Sequence, residues 1–311
     1  MSQTSPGAIT QGNAVASPQQ TLIPEVLRKL GFQCVSDMHS KRRRLVMGLE
    51  GMPGTGKTRF LRTCPPPIWV VDFDKGMEDV AEFADYDGSP ILRRTIEMPD
   101  FDEKGMPDKT GATAPAVSKA ELDVARRSWN EYRNIVETIL KTGVVRTLGI
   151  DNAGLTYALV MAARLGQIAR LGDVSGAWWR LVQQEFRNLH KQAFDHDVNL
   201  VMTHRQKRKW KGLSPTDMEL DGDAGMPGEL QVHLALEKKV LNSIPKSSTH
   251  PGQEADVQLT ARVLKCRQAM RLEGTEFPVI WLDDAKTQSV GFDFLTVATT
   301  VFPNSAKSDW F

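Results

Sequence analysis

The chain has 311 residues, enough for one large α/β domain or two smaller ones. Its 39 basic and 38 acidic residues leave a net charge of +1, and 41% hydrophobic with 25% charged residues is a globular rather than a disordered composition. No apolar run reaches the ~18 residues needed to span a bilayer, MSQTSPGAIT carries no apolar signal core, and cysteines at 34, 64 and 266 make no disulfide framework. The expectation is a cytoplasmic protein without a membrane partner, held by a hydrophobic core.

In chain order, residues 1–20 are rich in Ser, Gln, Pro, Gly and Thr and read as a tail. Residues 21–43 form an N-terminal segment in which IPEVLRKLG has the spacing of a short helix stopped by Gly31. Residues 44–290 carry the core. Arg44–Gly51, Pro67–Asp74, Val144–Asp151 and Asn199–His204 are apolar runs without alternation, which suits strands of a parallel sheet buried on both faces. Between them, Ser118-Lys119-Ala120-Glu121 has the form of a capping box. Leu122, Ala125, Trp129, Tyr132, Val136 and Ile139 follow at helical spacing until Gly143. Trp179, Val182, Phe186, Leu189 and Ala193 make a second such stripe. Residues 99–118 read as an exposed insertion. Asp256–Arg267 and Glu276–Asp283 suggest an antiparallel pair, and 291–311 a C-terminal tail. The fold class expected is α/β, a mostly parallel sheet flanked by helices with an antiparallel C-terminal β extension.

Gly51-Met52-Pro53-Gly54-Thr55-Gly56-Lys57-Thr58 fits G-x-x-x-x-G-K-[ST] and lies between a predicted strand and a predicted helix, the context that gives the motif meaning. Glycines let successive N–H groups face one anion, Lys57 adds a point charge for the β- and γ-phosphates, and the Thr58 hydroxyl is offered to Mg²⁺. Asp151, closing VVRTLGID, is the expected second oxygen on the Mg²⁺ side. Asn152 follows it where many ATPases have Glu, so the group that orients the attacking water is sought elsewhere. Asp74, ending Val70-Val71-Asp72-Phe73-Asp74, is the candidate, because neighbouring parallel strands end on one edge of the sheet. There is no N-K-x-D motif for guanine and no His or Cys cluster with metal-ligand spacing.

This order of pieces resembles the RecA-like P-loop ATPases, and most closely the phage-encoded RecA-core proteins grouped with single-strand annealing and recombination. The resemblance covers about residues 44–283. It rests on the phosphate loop at 51–58, Asp72-Phe73-Asp74, the strand ending at Asp151, the strand ending Thr203-His204, and Lys265-Cys266-Arg267 on a later strand. It implies ATP and Mg²⁺ as ligands, Asp74 as the water-orienting acid, and His204 as the γ-phosphate sensor. It also implies a homo-oligomer in which Lys265 and Arg267 reach the neighbouring subunit's nucleotide.

Arg205, Lys207, Arg208, Lys209 and Lys211 surround Trp210 and make five basic residues in seven. A mobile basic loop with an aromatic face is what single-stranded DNA binding uses, since cations track phosphates and the ring stacks on bases. The resemblance places a DNA-binding loop here and a second around Arg164–Gly176, and it implies a single-strand-binding protein or another recombination factor as partner. Two other readings remain open at this point. One is a nucleotide-switched protein-interaction module that does not touch DNA. The other is a small-molecule P-loop kinase with the 99–118 insertion as its lid.

Overall fold

The computed structural model describes residues 43–77, 91–99, 119–166, 176–211, 214–244, 253–281, 289–290 and 292–311. The 1–20 tail, the 21–42 helix segment, Ser118 of the capping box and nearly all of the 99–118 insertion lie outside the described residues, as do 167–175 of the second expected DNA loop.

Among the described residues, ten strands form one sheet. They are β1 (Val46–Gly51), β2 (Ile68–Asp72), β3 (Ile91–Thr95), β4 (Thr147–Asp151), β5 (Asn199–Lys211), β6 (Ser214–Leu220), β7 (Val232–Ile244), β8 (Gln253–Cys266), β9 (Glu276–Trp281) and β10 (Ser289–Val290). Their order across the sheet is β10-β9-β8-β7-β1-β5-β4-β2-β3, with β6 hydrogen-bonded to β5. From β7 to β3 all neighbours are parallel. From β7 to β10, and between β5 and β6, they are antiparallel. The expected fold class is the observed one.

Six α-helices among the described residues pack around this sheet: α1 (Lys57–Leu61), α2 (Lys119–Thr142), α3 (Ala153–Leu165), α4 (Gly176–Lys191), α5 (Met226–Glu229) and α6 (Phe294–Val301). One face of the sheet is covered by α2, α3 and α4. The apolar stripe of α2 buries Leu122, Ala125, Trp129, Tyr132, Val136 and Ile139, and α4 adds Val182, Phe186 and Leu189. Gly143 ends α2 at φ 61, a left-handed conformation that suits glycine. The other face carries α1 and α6 over Met47, Leu49, Val70 and Val201. Each large side chain removed from water in these two layers stabilises the fold by about 2–3 kcal/mol.

Three features depart from the expectation. Residues 292–311, set apart as a tail, belong to the core: Phe292, Phe294, Val297 and Trp310 are buried. Arg146 fastens this segment, donating to the main-chain carbonyls of Trp310 (2.8 Å), Asp309 (3.0 Å), Asp197 (3.1 Å) and Arg43 (2.7 Å). The parallel neighbour of β1 on the side away from β5 is β7, whose VHLALEKKVLNSI mixes charge and helix formers and hides its strand character. The basic stretch after His204 is strand rather than loop, because β5 continues to Lys211 and pairs with β6 from Gln206↔Leu220 to Lys211↔Ser214. No helix among the described residues is long and apolar enough to cross a membrane.

Candidate active site at the carboxyl edge of the sheet

β1, β2, β4 and β5 run parallel, so Gly51, Asp72, Asp151 and the end of the parallel part of β5 come to one edge of the sheet. Open α/β sheets bind ligands at this edge. β1 is buried over its whole length and delivers the chain into the turn 52–56. Gly54 and Gly56 hold φ of 77 and 88, where an L side chain is strained, so the turn can present its N–H groups on a tight curve. The Thr55 hydroxyl donates to Met52 O at 2.9 Å and closes the turn. Lys57 Nζ lies across the loop, donating to Gly51 O at 2.7 Å and Met52 O at 2.9 Å. Burial pulls the Lys57 pKa down, Asp151 and Asp74 hold it up, and the Arg205 charge lowers it further. The helix behind the loop has only five residues, so turn amides and the lysine, rather than a long helix dipole, make the anion site.

The acidic side is built from β4 and β2. Asp151 is buried and its two oxygens are taken separately: Thr58 Oγ1 donates to Oδ2 at 2.7 Å, and Thr203 Oγ1 donates to Oδ1. Burial raises the Asp151 pKa, the Thr203 and Thr58 hydrogen bonds oppose it, and Asp74 and Asp72 add to the rise. Asn152 turns away from phosphate chemistry and caps α3, its Oδ1 accepting from Gly154 N at 2.8 Å.

Asp72 is sealed from solvent. It accepts from the backbone N–H groups of Asp74 and Met77, each at 3.3 Å, and meets Arg93 Nε at 3.0 Å. It therefore folds the 73–77 turn and sets Asp74. Asp74 Oδ1 accepts from Gly76 N at 3.1 Å, and Arg205 meets its Oδ2 at 3.0 Å. A β-carbon at Gly76 would lie 3.0 Å from Asp74 Oδ1, 3.4 Å from Thr58 Oγ1 and 3.6 Å from Asp151 Oδ2. Three oxygens thus surround one point beside the loop. They are hard donors, and because the Thr58 hydroxyl donates its hydrogen bond to Asp151, its lone pairs are left to coordinate a cation. This set fits Mg²⁺, which prefers one or two protein oxygens together with phosphate and water over a full protein cage. No group of three His, Cys, Asp or Glu side chains suited to another metal gathers among the described residues.

The pleat corrects the sensor expected at His204. Successive strand side chains alternate between faces. Val201 lies in the α1 layer, and Thr203 and Arg205 follow it to Asp151 and Asp74. Leu200 and Met202 lie in the α2–α4 layer, and His204 follows them. Its ring is buried, 6.3 Å from the His233 ring, and neither ring nitrogen has a hydrogen-bond partner among the described residues. Burial first, then the charges of His233, His190 and Lys57, push its pKa down to about 3. His204 is a neutral side chain beneath the site. The residue facing the site is Arg205, which a sequence reading counts with the basic run. Its place follows from strand parity once Thr203 is known to hold Asp151.

Lys265 and Arg267 share one face of β8 and its extension, as their spacing requires, but not the acidic cluster. Lys265 donates to Pro227 O at 3.1 Å and Gly228 O at 2.7 Å, and Arg267 donates to Gly228 O and lies 3.7 Å from Glu229. Burial lowers the Lys265 pKa and Arg267 adds to the lowering, against Glu229 and Glu273. In their own chain they hold the α5 turn. Of the basic stretch, Lys207 pairs with Asp221 at 3.2 Å, and Gln206 donates to Glu50 at 2.8 Å. The backbone of Arg208, Lys209, Trp210 and Lys211 lies on β5, and their side chains are outside the described residues. Arg164 is bound bidentately to Glu185 at 2.6 and 2.8 Å, which also accepts from Trp129. It ties α3 to α4 and α2.

A family model described as an AAA domain matches residues 43–255, more than half of the chain. No curated protein matches the sequence. Among solved structures, a KaiC-like protein from the hyperthermophilic archaeon Pyrococcus horikoshii OT3 is similar at 13% identity with a TM-score of 0.41, over 76% of this chain and 86% of that one. The span of the family match includes the phosphate loop, Asp74, Asp151 and Arg205, and the chain belongs to this AAA-domain family of P-loop ATPases.

Proposed function

We propose that the protein is a Mg²⁺-dependent ATPase that binds single-stranded DNA and serves recombination or replication by annealing or exchanging strands. The observation that carries the ATPase part is the convergence of Thr58 Oγ1, Asp151 Oδ2 and Asp74 Oδ1 around Gly76, next to a lysine lying across a glycine-rich turn. The turn amides and Lys57 bind the phosphates of ATP. Thr58 and Asp151 hold Mg²⁺, which when bound neutralises charge on the phosphate oxygens. Asp74 accepts a hydrogen bond from a water and aims its oxygen at the γ-phosphorus. The new P–O bond forms as the bond to the β–γ bridging oxygen breaks, giving ADP and inorganic phosphate. Lys57 stays on the phosphates through the transfer and stabilises the charge that moves toward the leaving oxygen.

The DNA part rests on the hairpin. β5 pairs with β1 as far as Arg205, and from Gln206 onward with β6. The strand that extends there, Gln206–Lys211, carries four cations and a tryptophan in six residues, a composition suited to phosphate contacts and base stacking. A homo-oligomer with Lys265 and Arg267 acting across subunits, and a single-strand-binding or recombination partner, belong to the same reading. Hydrolysis that falls by about 10²–10³-fold in Asp74→Asn, with ATP binding retained, supports the role of Asp74; full turnover in that variant removes it. DNA binding that weakens with salt and is lost in Lys209→Ala/Trp210→Ala/Lys211→Ala supports the hairpin. A protein that hydrolyses ATP and binds no single strand at low salt is instead a nucleotide switch for a protein partner.

A further inference from the structure

β3 lies next to β2 at the end of the sheet order, and four of its five residues are exposed. Apolar burial therefore does little to hold it, and its two arginines point to opposite faces. In the β2–β3 register Arg93 stands beside Val70 and Thr95 beside Asp72. Val70 belongs to the α1 layer, so by strand parity Arg93 shares the face of Asp72. Its Nε meets Asp72 Oδ2 at 3.0 Å, and its Nη2 donates to Thr95 Oγ1 at 2.9 Å. Arg94 stands beside Val71 on the other face and binds Glu131 of α2.

The carboxylate that Arg93 meets spans the turn after β2. Asp72 Oδ1 accepts from Asp74 N and Oδ2 from Met77 N, both at 3.3 Å. These are long hydrogen bonds, and the arginine is what keeps their acceptor in place. Met77 is buried, so the turn is anchored at both ends with Asp74, Lys75 and Gly76 between. Lys75 holds φ 63 and is the one non-glycine residue with positive φ among the described residues. A lysine in that conformation is strained where a glycine is not. The Lys75 side chain is exposed, so its packing does not impose the conformation. The bonds to Asp72 and the Gly76 N–H on Asp74 Oδ1 impose it. Strain of this kind persists only where the surroundings over-determine it. Without the guanidinium, Asp72 is a buried charge stripped of this cation, and the strained turn loses its support.

We propose that Arg93, on the edge strand, is a positioning residue for ATP hydrolysis. Through Asp72 it holds the strained 73–77 turn, and the turn fixes the Asp74 oxygen that aims the attacking water. The proposal rests on the reading of Asp74 as the water-orienting acid. Arg93 acts through Asp72 and the turn rather than on the nucleotide, so its loss misplaces Asp74 while Lys57, Thr58 and the phosphate loop keep their bonds. A misplacement of an ångström or less is enough to slow a transfer that depends on alignment.

The test uses the full chain, with kcat and KM measured with ATP and Mg²⁺, ADP affinity by calorimetry, and hydrogen exchange over residues 73–77. Arg93→Gln is expected to lower kcat about ten-fold, with KM and ADP affinity within about two-fold of wild type. It is also expected to speed exchange of the Asp74 and Met77 amides. Arg93→Lys is expected to fall between, and it carries the same readouts if Arg93→Gln does not fold. Lys75→Gly added to Arg93→Gln is expected to recover about three-fold of kcat, because glycine holds this conformation without strain; a residue that only stabilised the fold is not rescued there. On an Asp72→Asn background Arg93→Gln is expected to add little, since the two act as one unit. Arg94→Gln breaks the ion pair on the opposite face of the same strand and is expected to leave kcat unchanged. A loss that appears in KM rather than kcat, or losses that multiply with Asp72→Asn, overturn the proposal and leave the ATPase reading standing. Unchanged exchange over 73–77 in Arg93→Gln overturns it as well, whatever the turnover. A wild-type chain that hydrolyses no ATP overturns the reading of Asp74 and this role of Arg93 together.

Discussion

Thr58 Oγ1 donates to Asp151 Oδ2 across 2.7 Å, joining residues 93 positions apart, and Thr203 takes the other oxygen of the same carboxylate. A buried carboxylate is tolerated only when its oxygens are satisfied, so the two threonines position Asp151 and Asp151 in turn orients the Thr58 hydroxyl.

Thr58→Val removes that hydroxyl at nearly constant volume. It leaves Asp151 Oδ2 without its donor, at a cost of about 1–3 kcal/mol, and takes away the oxygen assigned to Mg²⁺. The expected result is that Mg²⁺ no longer strengthens nucleotide binding, while Thr58→Ser restores it. Titration of nucleotide with and without Mg²⁺ checks this, and an undiminished Mg²⁺ effect in Thr58→Val contradicts it.

Trp310 is buried, its ring 5.8 Å from Phe294, and its carbonyl accepts from Arg146. Trp310→Ala is expected to lower unfolding stability by about 3–5 kcal/mol. A tail residue would change it by less than about 0.5 kcal/mol. Urea unfolding with an unchanged m-value decides between them.

His190 is enclosed between Tyr132 and the Phe186 carbonyl. A carbonyl only accepts, so Nδ1 carries the proton, and Nε2 accepts from the Tyr132 hydroxyl at 2.5 Å. Burial pushes its pKa from 6.5 down to about 4, against the Phe186 hydrogen bond. Between those values the unfolded chain binds more protons than the folded one, so stability falls as pH falls from about 6.5 to about 4. His190 alone accounts for about 3 kcal/mol of that loss, and the buried His204, with its pKa near 3, acts in the same direction. Chemical denaturation from pH 7 to 4 is expected to show the decline, with a shallower slope in His190→Gln/His204→Gln. An equal slope in the variant refutes the assignment.

Lys265 and Arg267 reach the carbonyls of Pro227 and Gly228 in their own chain. Mixing separates this bracing role from action across subunits. Lys57→Ala protein keeps the basic pair and lacks the phosphate cation; Lys265→Ala/Arg267→Ala protein is the reverse. If the pair works on a neighbour's nucleotide, the mixture hydrolyses ATP faster than either variant alone. No gain on mixing confines the pair to the α5 turn.

The phosphate loop was readable because each of its residue types answers a local need: glycines at φ 77 and 88, a lysine, and a hydroxyl. Asp151 was readable because a buried apolar strand ending in a carboxylate is a short-range pattern. Arg205 was not, because its role depends on which face of β5 meets the site, and that parity is set by Thr203 bonding to a carboxylate on another strand. The resemblance pointed to His204, one position away and on the opposite face. β7 is hidden in the sequence because Ala235-Leu236-Glu237-Lys238-Lys239 favours helix locally, and the strand forms through pairing with β1 and β8. The hairpin is likewise hidden, because Ser214–Leu220 contains proline and acids and becomes a strand by its register with β5.

The most direct test of the account is ATP hydrolysis with and without single-stranded DNA across a salt series, with Lys57→Ala as the blank. The account predicts Mg²⁺-dependent hydrolysis that Lys57→Ala abolishes and that single strands stimulate at low salt, the stimulation fading as salt rises. Hydrolysis that survives in Lys57→Ala, or that is indifferent to DNA at every salt concentration with no binding at the lowest, contradicts it.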